Sequence, residues 1–311
     1  MFEKGMLLGL FAETPLHPGS GTTTGVVDLP VQREKHTGFP IIQSSGLKGA
    51  MREAAEIKWP STYVGPRKIT DPVVSVIFGP ENTDHAGSIG VTDARLLAFP
   101  VRSLSSVYVW VTCPSVLNRL KRDINILKRM VPSLPDLPVT PNIIDGTALS
   151  AAESDLDPKL ILEEHILTLD KSNPGVKQWI AAISNFLPGD GGSDIYKGAR
   201  AKMSGHLVII SDTDFTYLVN YATQVTARNV LDDKKKSKNL WYEESLPVDS
   251  LLYTMIFAMD PRGGNGAVLN ADDVITKLES AIQGYIRIGG NETIGMGWCA
   301  VKHYPDTGDR S

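Results

Sequence analysis

The sequence has little cysteine, no long apolar run and no excess of positive charge. Its two cysteines, Cys113 and Cys299, are too few for a disulfide framework or a four-cysteine zinc site, which favours a reducing, cytoplasmic setting. No apolar stretch reaches the roughly 18 residues that a membrane-spanning helix needs. The apolar segment 5–11 is shorter and has no small-residue cleavage site behind it, so neither a membrane span nor a signal peptide is expected.

The charge balance is slightly acidic, with 31 lysines and arginines against 35 aspartates and glutamates, for a net charge of −4. Proteins that bind nucleic acid mainly through bulk charge have the opposite balance. Composition therefore argues mildly against nucleic acid. Any contact with RNA has to depend on local basic clusters and on backbone N–H groups.

Familiar catalytic motifs are missing as well. The six histidines are scattered, and there is no HExxH or CxxC pattern and no G-x-S-x-G turn. Glu163, Glu164 and His165 lie within a predicted strand at 159–169, where successive side chains point to opposite faces. A metal site or a serine nucleophile is therefore weakly supported.

Strands and helices interleave along the chain, without the regular spacing of a doubly wound parallel sheet. Apolar and β-branched runs predict strands at 5–14, 88–101, 106–112, 159–169, 206–211, 251–259, 285–288 and 298–304. Helical spacing and capping residues predict helices from 44 or 45 and at 114–128, 176–187, 212–223 and 270–283, with a glycine-rich connector at 188–205. The pattern favours an α+β fold of one or two βαββαβ units with large insertions, as a single domain over 1–311. The insertions are a loop at about 131–157 and a hairpin with a charged tip at about 224–247.

A loop rich in glycine and threonine runs from His17 to Arg33 and contains Asp28 between apolar residues. Structureless loops of this length are uncommon in compact domains and usually carry function. The alternative is a solvent loop in which Asp28 caps a turn and His17 is structural.

The next segment predicts a helix with Ser44 or Ser45 as its N-cap. Its apolar positions at helical spacing are Leu47, Ala50, Met51, Ala54 and Ile57. Lys48 and Arg52 lie four apart on the other face, beside the free N–H groups of the helix start, which together suit a phosphate. The alternative is an amphipathic helix with a solvated basic face.

Two later segments are also candidates. Gly289, Gly290, Gly295 and Gly297 lie between two strands, without the Gly-Lys-Ser/Thr of a phosphate-binding loop. They allow bare backbone to pack against a sugar-phosphate chain, or they simply form a hairpin turn.

In the segment 239–247, Trp241 and Tyr242 stand beside Glu243 and Glu244 and are suited to stack on bases, or form one side of a packed strand. The run Lys234–Lys236 is expected to be a solvated tip.

Taken in order, these segments resemble the RAMP superfamily, and more narrowly the backbone-subunit family of type III-B (Cmr) CRISPR effector complexes. The matching stretches are HPGSGTTTGVVDLPVQREKHTGFPIIQSSGLKGAMRE, SVYVWVTCPSVLNRL, NLWYEESLPVDSLLYTMI and IRIGGNETIGMGWC. The resemblance implies an RRM-like (ferredoxin-like) core with a thumb hairpin. It also implies partners: guide RNA, target RNA, further copies in a filament and other Cmr subunits, with no membrane.

The resemblance implies that the target RNA is cut at regular intervals, with Asp28 as the catalytic residue, Lys48 and Arg52 in a guide-RNA-binding helix, and Trp241 to Glu244 in the thumb. We expect the 2′-hydroxyl of the target to attack the adjacent phosphate. We also expect Asp28 to hold a divalent ion, Mg²⁺ or Mn²⁺, together with RNA phosphates. His17 and Glu243 are secondary candidates for proton transfer. The alternatives are a non-catalytic scaffold, a small-molecule phosphotransferase, and a standalone guide-processing ribonuclease.

Overall fold

The computed structural model describes residues 1–64, 66–81, 84–189, 195–262 and 269–304. The helices are α1 Ser44–Lys58, α2 Pro72–Phe78, α3 Pro114–Leu127, α4 Gly175–Ser184, α5 Lys197–His206, α6 Asp212–Tyr221 and α7 Ala271–Ala281. The strands are β1 Lys4–Ala12, β2 Ile41–Ile42, β3 Thr62–Val64, β4 Arg67–Ile69, β5 Ile89–Val91, β6 Ala94–Ser103, β7 Val107–Thr112, β8 Thr147–Leu149, β9 Lys159–Leu162, β10 His165–Asp170, β11 Leu207–Ile210, β12 Gln224–Leu231, β13 Ser237–Ser245, β14 Leu251–Ala258, β15 Tyr285–Arg287 and β16 Trp298–Tyr304.

The strand β1 lies inside a large mixed sheet. It pairs antiparallel with β14 on one side and with β16 on the other, and β14 pairs antiparallel with β6. The helix α7 packs against β1 and β14 and contacts α1. Beyond β6 the sheet continues through β7, β11, β8, β10 and β9. The mixed α+β class predicted from the sequence is confirmed.

Burial on both faces explains why β1 is a continuous apolar run rather than an alternating one. Residues Met6 to Ala12 are all buried. At Gly9 the chain around Phe186 approaches so closely that a Cβ would come within 2.1 Å of the Phe186 carbonyl oxygen. Phe186 also stacks on Tyr304 of β16, with ring centroids 5.0 Å apart. This segment therefore covers the sheet around β1.

Several predicted elements have different bounds. The predicted connector at 188–205 contains α5, a helix with little amphipathic signal, since of its residues only Met203 is buried. The predicted strand at 159–169 is a hairpin of β9 and β10, which turns at Glu163 with φ of 48°. Glu163 and Glu164 therefore lie in a turn rather than in a strand. The helix α2 and the small strands β3 and β4 were not predicted.

The hairpin of β12 and β13, called the thumb hairpin below, forms its own two-stranded sheet outside the main one. Its tip closes because the carboxylate of Asp232 accepts hydrogen bonds from the backbone N–H groups of Lys234 (2.8 Å) and Lys236 (2.9 Å). The tip residues are exposed, as the charged sequence indicates.

Within the described residues, no helix combines the length and the apolar character that a membrane crossing requires.

Candidate functional site

Asp28 is fixed at the base of the thumb hairpin. Its Oδ2 accepts a hydrogen bond from the backbone N–H of Tyr242 at 2.7 Å, and the residue is half-buried. The next residue, Leu29, makes two backbone hydrogen bonds to β13. Its N–H donates to the Tyr242 carbonyl and its carbonyl accepts the Glu244 N–H, each at 3.0 Å. Among the described residues, nothing donates a hydrogen bond to Oδ1 of Asp28, so this oxygen is left for a ligand.

The loop from His17 to Arg33 is held by its own backbone and is not a free coil. Gly19 and Val31 form an antiparallel bridge, and the N–H of Thr23 donates to the Asp28 carbonyl at 3.0 Å. The tip at 21–26 is exposed, while Asp28 lies nearer the base. This folding presents Asp28 at a defined place on the hairpin.

His17 lies between the thumb hairpin and the glycine-rich segment 289–297. It is 8% exposed, and its Nδ1 is 2.6 Å from the backbone carbonyl oxygen of Glu244. A carbonyl can only accept, so Nδ1 carries the hydrogen and Nε2 of the neutral ring carries a lone pair. Nε2 faces Gly19, where a Cβ would come within 2.7 Å of it. The chemistry of Nε2 is that of a proton acceptor.

The glycine-rich segment packs on His17. Gly289 has φ of +89°, and a Cβ there would lie 2.5 Å from the His17 carbonyl oxygen, which also accepts the Gly290 N–H at 3.0 Å. Gly297, with φ of +92°, makes a similar close approach to Ile288. Gly295 closes a short 3₁₀ turn at Glu292–Ile294. Gly289 and Gly297 thus pack closely on protein backbone, and the N–H of Gly290 bonds the His17 carbonyl.

Glu243 and its neighbours on β13 differ in exposure. Glu243 is 4% exposed, accepts a hydrogen bond from Asn291 on Oε1, and has Nε of Arg228 3.5 Å from Oε2. Both oxygens of this candidate for proton transfer therefore have protein partners. Trp241 is half-buried, whereas Tyr242 is 43% exposed directly beside Asp28.

Glu244 is the residue whose importance the sequence did not indicate. It is 5% exposed, and its carboxylate is bonded by Val31, Arg33 and Thr223. Its neighbours in the sequence carry no signal of this role, because the partners lie 21 to 213 residues away.

The helix α1 begins differently from the prediction. Gln43 occupies the N-cap position and makes no side-chain cap, and Ser44 is the first helical residue. The Ser44 N–H donates to Oδ1 of Asp93 at 2.8 Å. Ser44 and Ser45 are therefore not the cap, because the acceptor comes from elsewhere in the fold.

Lys48 and Arg52 share one side of α1 and are both half-buried, so this side is not the solvated basic face of the alternative interpretation. Nζ of Lys48 donates to the carbonyl oxygen of Ile89 at 3.2 Å, and burial together with the charge of Arg52 lowers the pKa of Lys48. Arg52 donates to the carbonyl oxygen of Gly79 at 2.8 Å and pairs with Glu56 at 3.0 Å.

The buried side of α1 also ends earlier than predicted. Leu47, Met51 and Ala55 are buried, but Ile57, the last of the apolar positions at helical spacing, is 71% exposed. In its last turn the helix no longer packs fully on the core, so an apolar residue at helical spacing is not necessarily buried there.

The start of α1 is near Asp28. Oε1 of Gln32 accepts the Gln43 N–H at 2.7 Å, and its Nε2 donates to the Gly19 carbonyl at 3.0 Å. Gln32 follows Asp28 by four residues, so their Cα atoms are at most about 14 Å apart. The Asp28 loop, the thumb hairpin, the glycine-rich segment and the start of α1 thus form one contiguous region.

The described residues contain no group of three or more histidine, cysteine, aspartate or glutamate side chains arranged to hold a metal. Asp28 brings one carboxylate, and one of its oxygens already accepts a backbone hydrogen bond. Divalent ions of the Mg²⁺ type take six oxygen ligands, several of them from water or substrate phosphate. The side chains of this region are therefore too few to hold an ion by themselves, and the other ligands have to come from water or from substrate phosphates.

A model of the RAMP superfamily matches residues 11–300. The chain therefore belongs to the RAMP superfamily, as the resemblance of its motifs predicts. The CRISPR system Cmr endoribonuclease Cmr4 of Pyrococcus furiosus is 37% identical over 307 residues, covering 96% of this chain and 95% of that protein. Within the superfamily, the predicted likeness to the subunits of Cmr systems is thereby confirmed.

Solved structures agree with this placement. A crystal structure of oligomeric Cmr4 from Pyrococcus furiosus has a TM-score of 0.71 at 33% identity, covering 96% of this chain and 97% of that one. A chain in the cryo-EM structure of the type III-B Cmr-beta complex bound to cognate target RNA has a TM-score of 0.70 at 20% identity, covering 97% and 98%. The second likeness shows a shared fold.

Proposed function

We propose that this protein is a guide-RNA-binding backbone subunit of a type III-B CRISPR effector complex, and that it cuts complementary target RNA at regular intervals with Asp28 as the catalytic residue. The observation that carries the proposal is the carboxylate of Asp28, which accepts a hydrogen bond on one oxygen from the backbone of Tyr242, an exposed aromatic residue of β13, and has no donor from the described residues on the other. The relative from Pyrococcus furiosus is named an endoribonuclease, which supports cleavage as the activity.

The core is proposed to be RRM-like. Its strands run in the order β16-β1-β14-β6, all antiparallel, with α1 following β1 and α7 following β14 in the chain. This is the order of a βαββαβ unit. RRM domains commonly stack RNA on their sheet, but β1 is buried on both faces here. RNA is therefore expected at the loops and the thumb hairpin rather than on the sheet.

The proposed reaction is an internal transesterification. The 2′-oxygen of the target bonds to the adjacent phosphorus while the bond from phosphorus to the 5′-oxygen breaks, leaving a 2′,3′-cyclic phosphate and a 5′-hydroxyl. A proton leaves the 2′-hydroxyl and another reaches the 5′-oxygen. The attack has to be in line, and positioning of this kind supplies several kcal/mol of the barrier. The thumb hairpin is proposed to displace a nucleotide at each cut site and so to produce this geometry.

Asp28 is proposed to be the protein ligand of a divalent ion through Oδ1, directly or through water, while the backbone N–H of Tyr242 holds Oδ2. His17 is proposed as a proton acceptor through Nε2, because its Nδ1 hydrogen is committed to Glu244. Glu243, with both oxygens engaged, is retained as a secondary candidate for proton transfer. A divalent ion, Mg²⁺ or Mn²⁺, would screen the phosphate charge and acidify the hydroxyl, with Asp28 as its protein ligand and RNA phosphates as the others.

Guide RNA is proposed to lie along the start of α1 and the glycine-rich segment. The proposed contacts on the helix are Ser44, Ser45, Lys48 and Arg52. To reach a phosphate, the side chains of Lys48 and Arg52 have to leave their present contacts within the chain. On the other elements the proposed contacts are Trp241, Tyr242, Gly289, Gly290, Gly295 and Gly297. Partners are proposed to be target RNA, further copies of the chain and other Cmr subunits.

The test is target cleavage by the assembled complex, with end-labelled RNA and a complex carrying an unrelated guide as control. The variants Asp28→Ala and Asp28→Asn are expected to abolish cutting while guide loading and assembly stay intact. Products of the wild-type complex should carry 2′,3′-cyclic phosphate ends. Cutting of a matched target by either variant at the wild-type rate would overturn the assignment and leave the scaffold alternative.

A further inference from the structure

We infer that Glu244, paired with Arg33, is the residue that positions Asp28 for cleavage, and that it ties the thumb hairpin to the Asp28 loop. This inference rests on the proposed function, because it assigns a role toward the catalytic carboxylate. Glu244 does not contact the proposed reacting atoms, and acts through the backbone of residues 28–33.

The carboxylate of Glu244 collects three donors in a buried place. Oε2 accepts the backbone N–H of Val31 at 2.9 Å, and Oε1 accepts the guanidinium of Arg33 and the hydroxyl of Thr223, the latter at 2.8 Å. The side chain is 7% exposed. A buried carboxylate with this set of partners is held in one orientation, because Arg33 compensates its charge and the two neutral donors fix its oxygens.

The backbone of Glu244 makes further hydrogen bonds to the loop. Its N–H donates to the Leu29 carbonyl at 3.0 Å, and its carbonyl accepts Nδ1–H of His17 at 2.6 Å. Together with the bond from Tyr242 to Asp28, residues 242–244 therefore hold the loop at Asp28, Leu29, Val31 and Arg33. The carboxylate provides the contacts beyond Leu29, and without it Val31 and Arg33 lose these bonds to β13, while Asp28 and Leu29 keep their bonds to the backbone of residues 242–244.

Arg33 is suited to be the partner of Glu244 because both terminal nitrogens of its guanidinium bond to acceptors within the chain. Its Nη1 donates to the carbonyl oxygens of Gly38 at 2.9 Å and Val219 at 3.0 Å, and its Nη2 reaches Glu244. The planar fork serves these three acceptors from two separate nitrogens, a geometry that the single ammonium nitrogen of a lysine does not reproduce. Arg33 therefore anchors the end of the Asp28 loop to α6.

Thr223 connects the same carboxylate to the start of β12, the other strand of the thumb hairpin. It precedes the first residue of β12, and β12 pairs with β13 from Gln224 to Ser245 onward. Glu244, itself in β13, thus bonds both the start of β12 and the Asp28 loop. A displacement of the hairpin, as when RNA is seated against it, is passed to Asp28 through this residue.

The experiment compares variants with the wild type in the assembled, guide-loaded complex by single-turnover cleavage over a range of target concentrations. Glu244→Gln is expected to lower the maximal rate about 10- to 100-fold, since small misplacements of a catalytic group cost rates of this order. The half-saturating target concentration and the yield of assembled complex should stay within about twofold of wild type. Arg33→Lys should act in the same direction.

The matched control is Glu34→Gln. Glu34 is also bonded by an arginine and a threonine, Arg119 and Thr37, but among the described residues its carboxylate accepts no hydrogen bond from residues 28–33. It is expected to leave the maximal rate unchanged. A merely structural role for Glu244 would lower the yield of complex in both glutamate variants, and would not lower the maximal rate of the complex that forms.

A double-mutant cycle tests whether Glu244 acts through Asp28. In the Asp28→Asn background, any residual rate should change less than about twofold when Glu244→Gln is added. A Glu244→Gln complex with the wild-type maximal rate overturns the inference even if Asp28→Ala is inactive. Active Asp28→Ala overturns the proposed function itself.

If the complex that carries Glu244→Gln does not assemble, the variant Thr223→Val tests the positioning role of Glu244 instead. It removes one uncharged donor from the carboxylate. A reduced maximal rate at unchanged half-saturation supports the inference, and an unchanged rate overturns it.

Discussion

The backbone N–H of Tyr242 points at the carboxylate of Asp28, at 2.7 Å from Oδ2. These two residues are 214 positions apart in the chain. The contact places the acidic group of a glycine- and threonine-rich loop at the base of an exposed hairpin, on the backbone of an aromatic residue that is 43% exposed. The predictions below follow from this region and from the contacts that hold it.

The ring of Tyr242 is expected to contribute to target binding without holding Asp28, because the bond to Asp28 comes from the backbone. Tyr242→Ala should raise the half-saturating target concentration about 5- to 100-fold, the range that loss of one base–aromatic stack produces. The maximal rate should change little. Single-turnover cleavage over a target titration measures both, and an unaltered half-saturation contradicts the stacking role. Tyr221→Ala is the control, since that tyrosine is 73% exposed on α6.

Gly289→Ala is expected to destabilise the fold by about 1–3 kcal/mol, from left-handed backbone strain and from the collision with the His17 carbonyl. Gly295→Ala is the matched control, because it has a similar φ of +83° and nothing within 4 Å of the added Cβ. Urea denaturation of the isolated protein compares the two. Equal losses of stability would show that strain alone acts, and that the close approach to His17 is unimportant.

Glu34 gives a pH dependence of stability. Burial alone would raise its pKa, but the hydrogen bonds from Arg119 and Thr37 and the charge of Arg119 outweigh it and lower the pKa below 4.5. A carboxylate whose pKa is lower in the folded state stabilises the fold above its unfolded pKa, and this contribution is lost as the pH falls through the folded pKa. Glu34→Gln should therefore cost about 1–3 kcal/mol at pH 7 and less at pH 3. Urea denaturation at both values measures the difference, and an equal cost at both contradicts it.

Lys48 is expected to contact an RNA phosphate in the loaded complex. Lys48→Met should then weaken guide binding and reduce the slope of log K against log salt by about 0.7, the value for one phosphate of a single strand. Arg102→Met is the control, because Arg102 is exposed at the end of β6 and pairs with Glu163. Binding titrations over a range of salt concentrations measure both. A slope equal to that of wild type argues against the contact and leaves Lys48 with its structural bond to Ile89.

Removal of divalent ions is expected to stop cleavage and to leave assembly intact. The complex treated with EDTA should regain its rate with Mg²⁺ or Mn²⁺, and Asp28→Ala should not regain it with either. Because the chain provides one carboxylate, half-activation is expected only at millimolar ion, as for weakly held Mg²⁺. Full activity in EDTA would remove the ion from the mechanism.

The sequence by itself determined the class of fold, the family and the location of the unusual loop. Short-range signals are sufficient for these: the capping box at Asn270, the apolar runs of β1 and β14, and the glycines and threonines around Asp28 are each readable within a few residues. The sequence did not show the helix α5, whose buried side is a single methionine, or the turn at Glu163, where a residue other than glycine adopts a positive φ.

Only the tertiary structure decided what each charged residue of the region does. Lys48 and Arg52 look like free cations in the sequence, but carbonyls of Ile89 and Gly79 bind them. Asp93 bonds the N–H of Ser44, which displaces the predicted serine cap, and Glu244 becomes the centre of the region through Val31, Arg33 and Thr223. The physical reason is the same in each case: a hydrogen bond depends on which atoms lie within about 3 Å, and partners far apart in the chain meet only when the whole fold is formed.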